Sequence, residues 1–223
     1  MLQCNKKGGV DVRIRLYHTY IDDTSAALAR LWEALPATRQ RQLAARTPAA
    51  RAEGAVLCAL LQTALTAWEA DTPDGAVDNT VLTTSYPTWE TDENGKPFAD
   101  GILTATGRVF PAFSHSHGHV MVVLCDHPCG ADLQRWDVPA FAPARWPRTA
   151  TRICHPDNVP AASARETARQ FAAKEAALKW AGCGLRRPLS SVKLGENPLT
   201  ADEQPLFFYE TVPSCVAAVV VSR

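Results

Sequence analysis

Apolar and polar positions alternate along residues 10–20, with Val10, Val12, Ile14 and Leu16 on one side. A period of two over that length predicts a half-buried strand. Asp22, Asp23 and Thr24 then offer N-caps for a helix running to Leu35, where Pro36 stops it. Thr47 followed by Pro48 is a cap with proline at the first helical position, and it opens a long helix to about Ala70. Val56, Leu57, Leu60, Leu61 and Leu65 fall on one stripe of that helix, which marks it as part of the core.

Residues 71–79 form a turn-rich break, and 80–125 read as short strands around Asn94–Gly95 and Gly107 that end in the apolar strand 119–125. Five prolines and little periodicity make 137–160 an irregular excursion. Ser163 and Glu166 have the capping-box spacing of a helix over 164–181, which Gly182 and Gly184 end. Strands around 191–194, 206–209 and 215–222 complete the chain. The segments 119–125 and 215–221 are both continuously apolar, each closing one half, so the prediction is an α+β protein of two similar halves.

Composition narrows the function. The 223 residues carry 23 Lys+Arg and 23 Asp+Glu, a net charge of zero that argues against a general nucleic-acid or membrane-surface binder. The longest apolar runs fall well short of the roughly 18 residues a membrane span needs, and no apolar stretch follows Lys6 and Lys7 to make a secretory signal. A cytoplasmic protein is expected. Its seven cysteines form no CxxC and no framework spacing, which suits reduced thiols. Only six of the 23 basic residues are lysines, at 6, 7, 96, 174, 179 and 193.

Unusual polar residues concentrate in three places. Asn94–Gly95–Lys96–Pro97 is followed by Phe113–Ser114–His115–Ser116. Gly130–Ala131–Asp132–Leu133–Gln134 comes directly after an apolar strand. Phe171, Lys174, Glu175 and Lys179 lie on the late helix. There Phe171, Glu175 and Lys179 share a face at i, i+4 and i+8. Taken singly, Glu175 and Lys179 also read as an ordinary surface pair, Asp132 as a turn residue or cap, and Lys96 as a solvated hairpin residue.

Together these segments resemble, in order and spacing, the motifs of the surfactin-type 4'-phosphopantetheinyl transferases. Gly130-x-Asp132 stands about 40 residues before Phe171-x-x-Lys174–Glu175–Ala176-x-x-Lys179, with Gly95–Lys96–Pro97 and the Ser114–His115 segment upstream. Half of the six lysines fall inside the motifs. The resemblance implies two α+β subdomains, residues 1–127 and 128–223, related by a pseudo-twofold with the active site in the cleft between them. It implies transfer of the phosphopantetheine arm of coenzyme A to a serine of an apo acyl or peptidyl carrier protein, releasing adenosine 3',5'-bisphosphate. A monomer is expected, because the two halves supply the interface that smaller relatives make by oligomerising.

Residue by residue, the resemblance implies that Asp132 and Glu175 hold Mg²⁺, with Gln134 contributing directly or through water. Glu175 is also the candidate base for the attacking serine. Lys179 would neutralise charge on the diphosphate or protonate the leaving group. Lys96, Ser114 and His115 match phosphate-binding positions for coenzyme A, and Arg51 and Arg46 lie where the family often adds another. Two positions depart from the pattern. Gln134 replaces a second acid and brings no charge, while Phe171 replaces a Trp and keeps an aromatic anchor. The excursion has no match to the family's usual stretch, and its Arg145, Arg148 and Arg152 read either as a docking patch for an acidic carrier or as solvated loop arginines.

Two other functions compete. His115, His117 and His119 would point to one side of a strand and, with Cys125, His127, Cys129, Cys154 and His155 nearby, would make a zinc module. A catalytically weak homologue that binds coenzyme A or a carrier without turnover is the other, and Gln134 is the feature in its favour.

Overall fold

A computed structural model describes residues 12–21, 25–70, 96–98, 100–196, 199–210 and 213–222. In chain order these form β1 (Ile14–Tyr20), α1 (Ser25–Ala34), α2 (Ala37–Ala44), α3 (Pro48–Glu69), β2 (Ile102–Thr104), β3 (Gly107–Ser116), β4 (His119–Cys125), β5 (Cys129–Arg135), α4 (Trp146–Ile153), α5 (Ala164–Trp180), β6 (Leu194–Glu196), β7 (Leu199–Ala201), β8 (Gln204–Tyr209) and β9 (Cys215–Val221). The protein is mixed α+β. All pairings are antiparallel, in two sheets ordered β1-β4-β3-β2 and β5-β9-β8-β7-β6. Both sheets repeat one plan, with the first strand at an edge beside the last, and the remaining strands following in reverse.

The two apolar strands explain the layering. In β4, Met121, Val123 and Cys125 face the other sheet, while Val120, Val122 and Leu124 face α3. In β9, Cys215, Ala217, Val219 and Val221 face the first sheet, and Ala218 and Val220 face α5. A strand covered on both sides has no polar face to show, which is why neither alternates. The layers therefore run helix, sheet, sheet, helix. The same arrangement corrects the half-buried reading of β1. Ile14 and Leu16 enter the inter-sheet core, Tyr17 packs toward α3, and Arg15 is also buried, donating from Nη1 to Ala67 O at 2.8 Å.

Two of the expected caps are present, while the one expected at Asp22–Thr24 lies outside the described residues. Thr47 Oγ1 accepts from Ala50 N at the start of α3, and Ser163 Oγ accepts from Glu166 N at the start of α5. Past α5 the chain turns at Gly182 and Gly184, with φ of 67° and 52°. Two helices were not visible in the pattern. α2 buries one residue, Leu43, so it has no apolar stripe to find; Gly54 leaves room for it, since a Cβ there would lie 2.6 Å from Leu43 Cδ2. α4 lies inside the supposed irregular excursion, where Pro147 opens the helix instead of breaking it, and Ala150 and Ile153 anchor its inner side. The strand expected at 191–194 begins later, at Leu194, after a 3₁₀ turn. The turn-rich break at 71–79 and the strands around Asn94–Gly95 lie outside the described residues. No helix among the described residues is long and apolar enough to cross a membrane, and the six described cysteines are free thiols.

Candidate active site

Gly130, Asp132 and Gln134 sit at alternate positions of β5, so they share the face opposite Ala131 and Leu133, which point into the inter-sheet core. This corrects the expectation that Asp132 lies just past a strand; it is in the middle of one. The face it shares is covered by α5, and Gly130 sets how closely. A Cβ at Gly130 would stand 2.2 Å from Ala176 O and 2.3 Å from Trp180 N, so only glycine admits the helix backbone here. That close approach brings Lys179 of α5 down onto Asp132.

Asp132 is 4% exposed and its carboxylate is fully engaged. Lys179 Nζ donates to Oδ1 at 2.6 Å, Ser114 Oγ of β3 donates to the same oxygen at 2.8 Å, and Gln134 Nε2 donates to Oδ2 at 2.8 Å. Lys179 Nζ also reaches Ser114 Oγ at 3.2 Å and Phe113 O at 3.3 Å. Residues from both sheets and α5 thus close around one carboxylate. One turn before Lys179, Glu175 opens into the same space. Burial pushes its carboxyl above the ordinary range, the Asp132 charge pushes it further, and Lys179 partly offsets both.

The space is a cleft of ≈ 860 Å³. Its wall takes in Ser114, His115, Asp132, Gln134, Glu175 and Lys179, with Phe171 and Arg46 also bordering it. Of the expected site residues, these eight come together. Lys96 stands in an adjoining pocket of ≈ 270 Å³ that shares Phe113 and Lys179 with the cleft, and its Nζ donates to Trp180 O at 3.0 Å, at the carbonyl end of α5. Arg51 is not part of the cleft wall; its Nε is buried without a hydrogen-bond partner.

Three cleft residues were missed from sequence. Arg39 and Gln42 come from α2, with Arg39 Nη1 donating to Gln42 Oε1 at 2.9 Å, and Glu53 of α3 places Oε2 3.2 Å from His115 Nδ1. For Arg39 and Gln42 a signal existed, because they stand three apart on one side of a helix with almost no apolar side, and Arg46 follows just past its end.

Lys174 belongs elsewhere. It is 0% exposed on the inner side of α5, and its Nζ donates to Val192 O. Burial pushes its pKa down to about 8 from 10.5. Below about 8 both folded and unfolded chains hold the proton, and the cost of burying the charge is fully present. Between about 8 and 10.5 the folded chain releases it first, so this group makes stability rise with pH across that window. Denaturant unfolding across that window should give wild type a more positive stability-versus-pH slope than Lys174→Met, and equal slopes would refute it.

Divalent metal is consistent with the donors present. Asp132 and Glu175 are close enough for like-charge repulsion, which a cation between them relieves, and Gln134 adds an amide oxygen. Mg²⁺ commonly uses one or two carboxylates together with water and substrate phosphates, and Asp132 and Glu175 would supply the carboxylates. Among the described residues no three His, Cys, Asp or Glu side chains converge as a metal cluster. The zinc arrangement fails on geometry as well: His117 occupies the turn between β3 and β4, with φ of 49°, so His115, His117 and His119 do not share a strand face. No protein-family model matches the chain, and no curated protein matches it significantly.

Proposed function

We propose that the protein is a 4'-phosphopantetheinyl transferase, moving the phosphopantetheine arm of coenzyme A to a serine of an apo acyl or peptidyl carrier protein. The observation that carries this reading is the Asp132–Lys179–Ser114 knot with Glu175 beside it, lining a cleft that also holds His115 and Arg46. Carboxylates for a cation and cations for phosphate in one wall suit a diphosphate substrate. The repeated sheet order supports two subdomains, residues 1–127 and 128–223, related by a pseudo-twofold with the cleft between them. On the same reading the chain acts as a cytoplasmic monomer.

In the proposed reaction the carrier serine Oγ forms a bond to the phosphorus that bears the pantetheine. The bond from that phosphorus to the adenosine 3',5'-bisphosphate oxygen breaks. Glu175 takes the serine proton, and its raised pKa makes it a stronger base than a solvated carboxylate. Lys179 is placed to neutralise or protonate the departing phosphate oxygen. His115, Arg46 and Lys96 would bind the remaining phosphate charge. Asp132 and Glu175, helped by Gln134, would hold Mg²⁺, which supplies charge stabilisation of the diphosphate.

One observation favours a second reading. Gln134 spends its amide N–H on Asp132, and Lys179 occupies Oδ1, so the carboxylate is satisfied without metal. That suits a homologue that binds coenzyme A or carrier without turnover. Calorimetric titration with coenzyme A separates the two. The transferase reading expects binding that weakens at least about tenfold when EDTA removes divalent metal, the value of one to two charge-assisted contacts. Metal-independent affinity supports the second reading, and no binding at all contradicts both.

A further inference from the structure

Ser114 of β3 turns toward Asp132, and the next residue, His115, reaches α3 instead, where Glu53 Oε2 lies 3.2 Å from its Nδ1. Glu53 shares one side of α3 with Ala50, Gly54 and Leu57, at steps of three and four residues, and all four line the cleft. Of these it alone has a polar side chain, which is 23% exposed, so it is held against the wall yet still meets the cleft. The proposed reaction gives Glu53 no part, because the reacting diphosphate is met by Asp132, Glu175 and Lys179. A carboxylate at that point opposes the phosphate binding expected of His115 and Arg46.

Charge indicates what that carboxylate does. Among the described residues the cleft wall carries three Arg and Lys side chains, at 39, 46 and 179, against three carboxylates, at 53, 132 and 175. With a divalent cation between Asp132 and Glu175, such a wall matches the two charges of a diphosphate. Coenzyme A also carries a 3'-phosphomonoester, which adds about 1.5 to 2 negative charges at neutral pH. Among the described residues the wall keeps no equal positive charge for it. Arg39 Nη1 is engaged by Gln42, His115 already faces an anion, and Lys96 stands in the adjoining pocket with Nζ on Trp180 O. A ribose 3'-hydroxyl fits better, since a carboxylate accepts a hydrogen bond from it but repels a phosphate. We infer that Glu53 sets donor selectivity at the ribose 3' position, so that the cleft takes 3'-dephospho-coenzyme A as well as coenzyme A; this rests on the transferase reading. The step stays balanced. The carrier serine Oγ bonds to the same phosphorus, its proton goes to Glu175, and the bond to the oxygen of adenosine 5'-monophosphate breaks instead of that to the bisphosphate.

The test titrates wild type and Glu53→Gln calorimetrically with coenzyme A and with 3'-dephospho-coenzyme A, each with Mg²⁺. Glutamine keeps the size of the side chain and an oxygen for His115 Nδ1 while removing the charge, and circular dichroism checks the fold. Wild type should bind the two nucleotides with affinities within about tenfold of each other. Glu53→Gln should move their ratio at least about tenfold toward coenzyme A. With both donors and apo acyl carrier protein in one mixture, the ratio of adenosine 5'-monophosphate to bisphosphate released should fall by a similar factor in the variant. An unchanged ratio overturns the inference, as does a wild type that favours coenzyme A by more than that tenfold. So does a ratio that moves toward the dephosphorylated donor, which would mean that Glu53 holds His115 for the phosphate. In each of these cases transfer from coenzyme A leaves the transferase reading standing. A ratio that shifts as expected with no transfer to any carrier keeps the role of Glu53 and removes the transferase reading, and a protein that binds neither nucleotide contradicts both.

Discussion

Asp132→Asn is expected to lower kcat/KM for phosphopantetheine transfer by about three orders of magnitude while leaving the fold in place. The substitution keeps the size of the side chain and removes its charge. Three donors now converge on the carboxylate: Lys179 and Ser114 on Oδ1, Gln134 on Oδ2. An amide presents one oxygen and one N–H₂ to them, so at least one contact becomes donor against donor. Lys179 loses its charged partner and moves toward water, since its side chain is 35% exposed. Glu175 loses the neighbouring charge that helps raise its pKa, and should become a weaker base. On the proposed reading, one atom thus perturbs the residues that would hold the metal, neutralise the leaving group and take the serine proton. Pre-steady-state transfer with thermal melting in parallel checks it: a variant within about tenfold of wild type would remove Asp132 from the catalytic machinery.

Gly130→Ala should act through stability. The added methyl would fall 2.2 Å from Ala176 O and 2.3 Å from Trp180 N, and both obstacles are backbone. No rotamer change relieves that contact, so α5 must lift from β5, taking the Ala172, Ala173, Ala176 and Ala177 packing with it. Overpacking against rigid backbone costs about 3 kcal/mol or more, which for a chain of this size lowers Tm by roughly 6–12 °C. The lifted helix also draws Glu175 and Lys179 away from Asp132, so the protein that remains folded at low temperature should transfer poorly. Gly54→Ala is the contrast. Its methyl would meet the end of the Leu43 side chain, which can shift, so the loss should be smaller. Melting curves for both variants settle the comparison, and a Gly130→Ala protein as stable as wild type would contradict the packing described here.

How much of this was legible in the sequence depends on what each residue is asked to do. Caps and long apolar stripes are local signals, so α3 and α5 could be read with their ends, down to Thr47 and Ser163. The strands β4 and β9 were readable as apolar runs, but their burial on both faces depends on what packs over them, which no local pattern carries. α2 and α4 escaped because a short helix with one or two buried residues has no periodicity to detect. Pro147 misled for the same reason, since proline marks a helix start only when the helix is already suspected.

The cleft was partly legible. Ser114, Asp132, Glu175 and Lys179 stood out as residue types in a suggestive order, and they come together. Their meeting depends on Gly130, a residue whose role is the absence of a side chain and appears only when α5 is placed on β5. Glu53 facing His115 could not be found from spacing, because α3 and β3 are separate elements brought together only by the fold. Lys174 was grouped with the site by its neighbours in sequence, yet one residue before Glu175 on a helix is a turn of about 100° away, toward the core.

The most direct measurement is the intact mass of several apo carrier proteins after incubation with this protein, coenzyme A and Mg²⁺, with Glu175→Ala and an EDTA-treated sample alongside. The account predicts that at least one carrier gains a single phosphopantetheine, and that the gain disappears in both controls. Carriers that remain unmodified by wild type, or a gain that persists in Glu175→Ala, would contradict it.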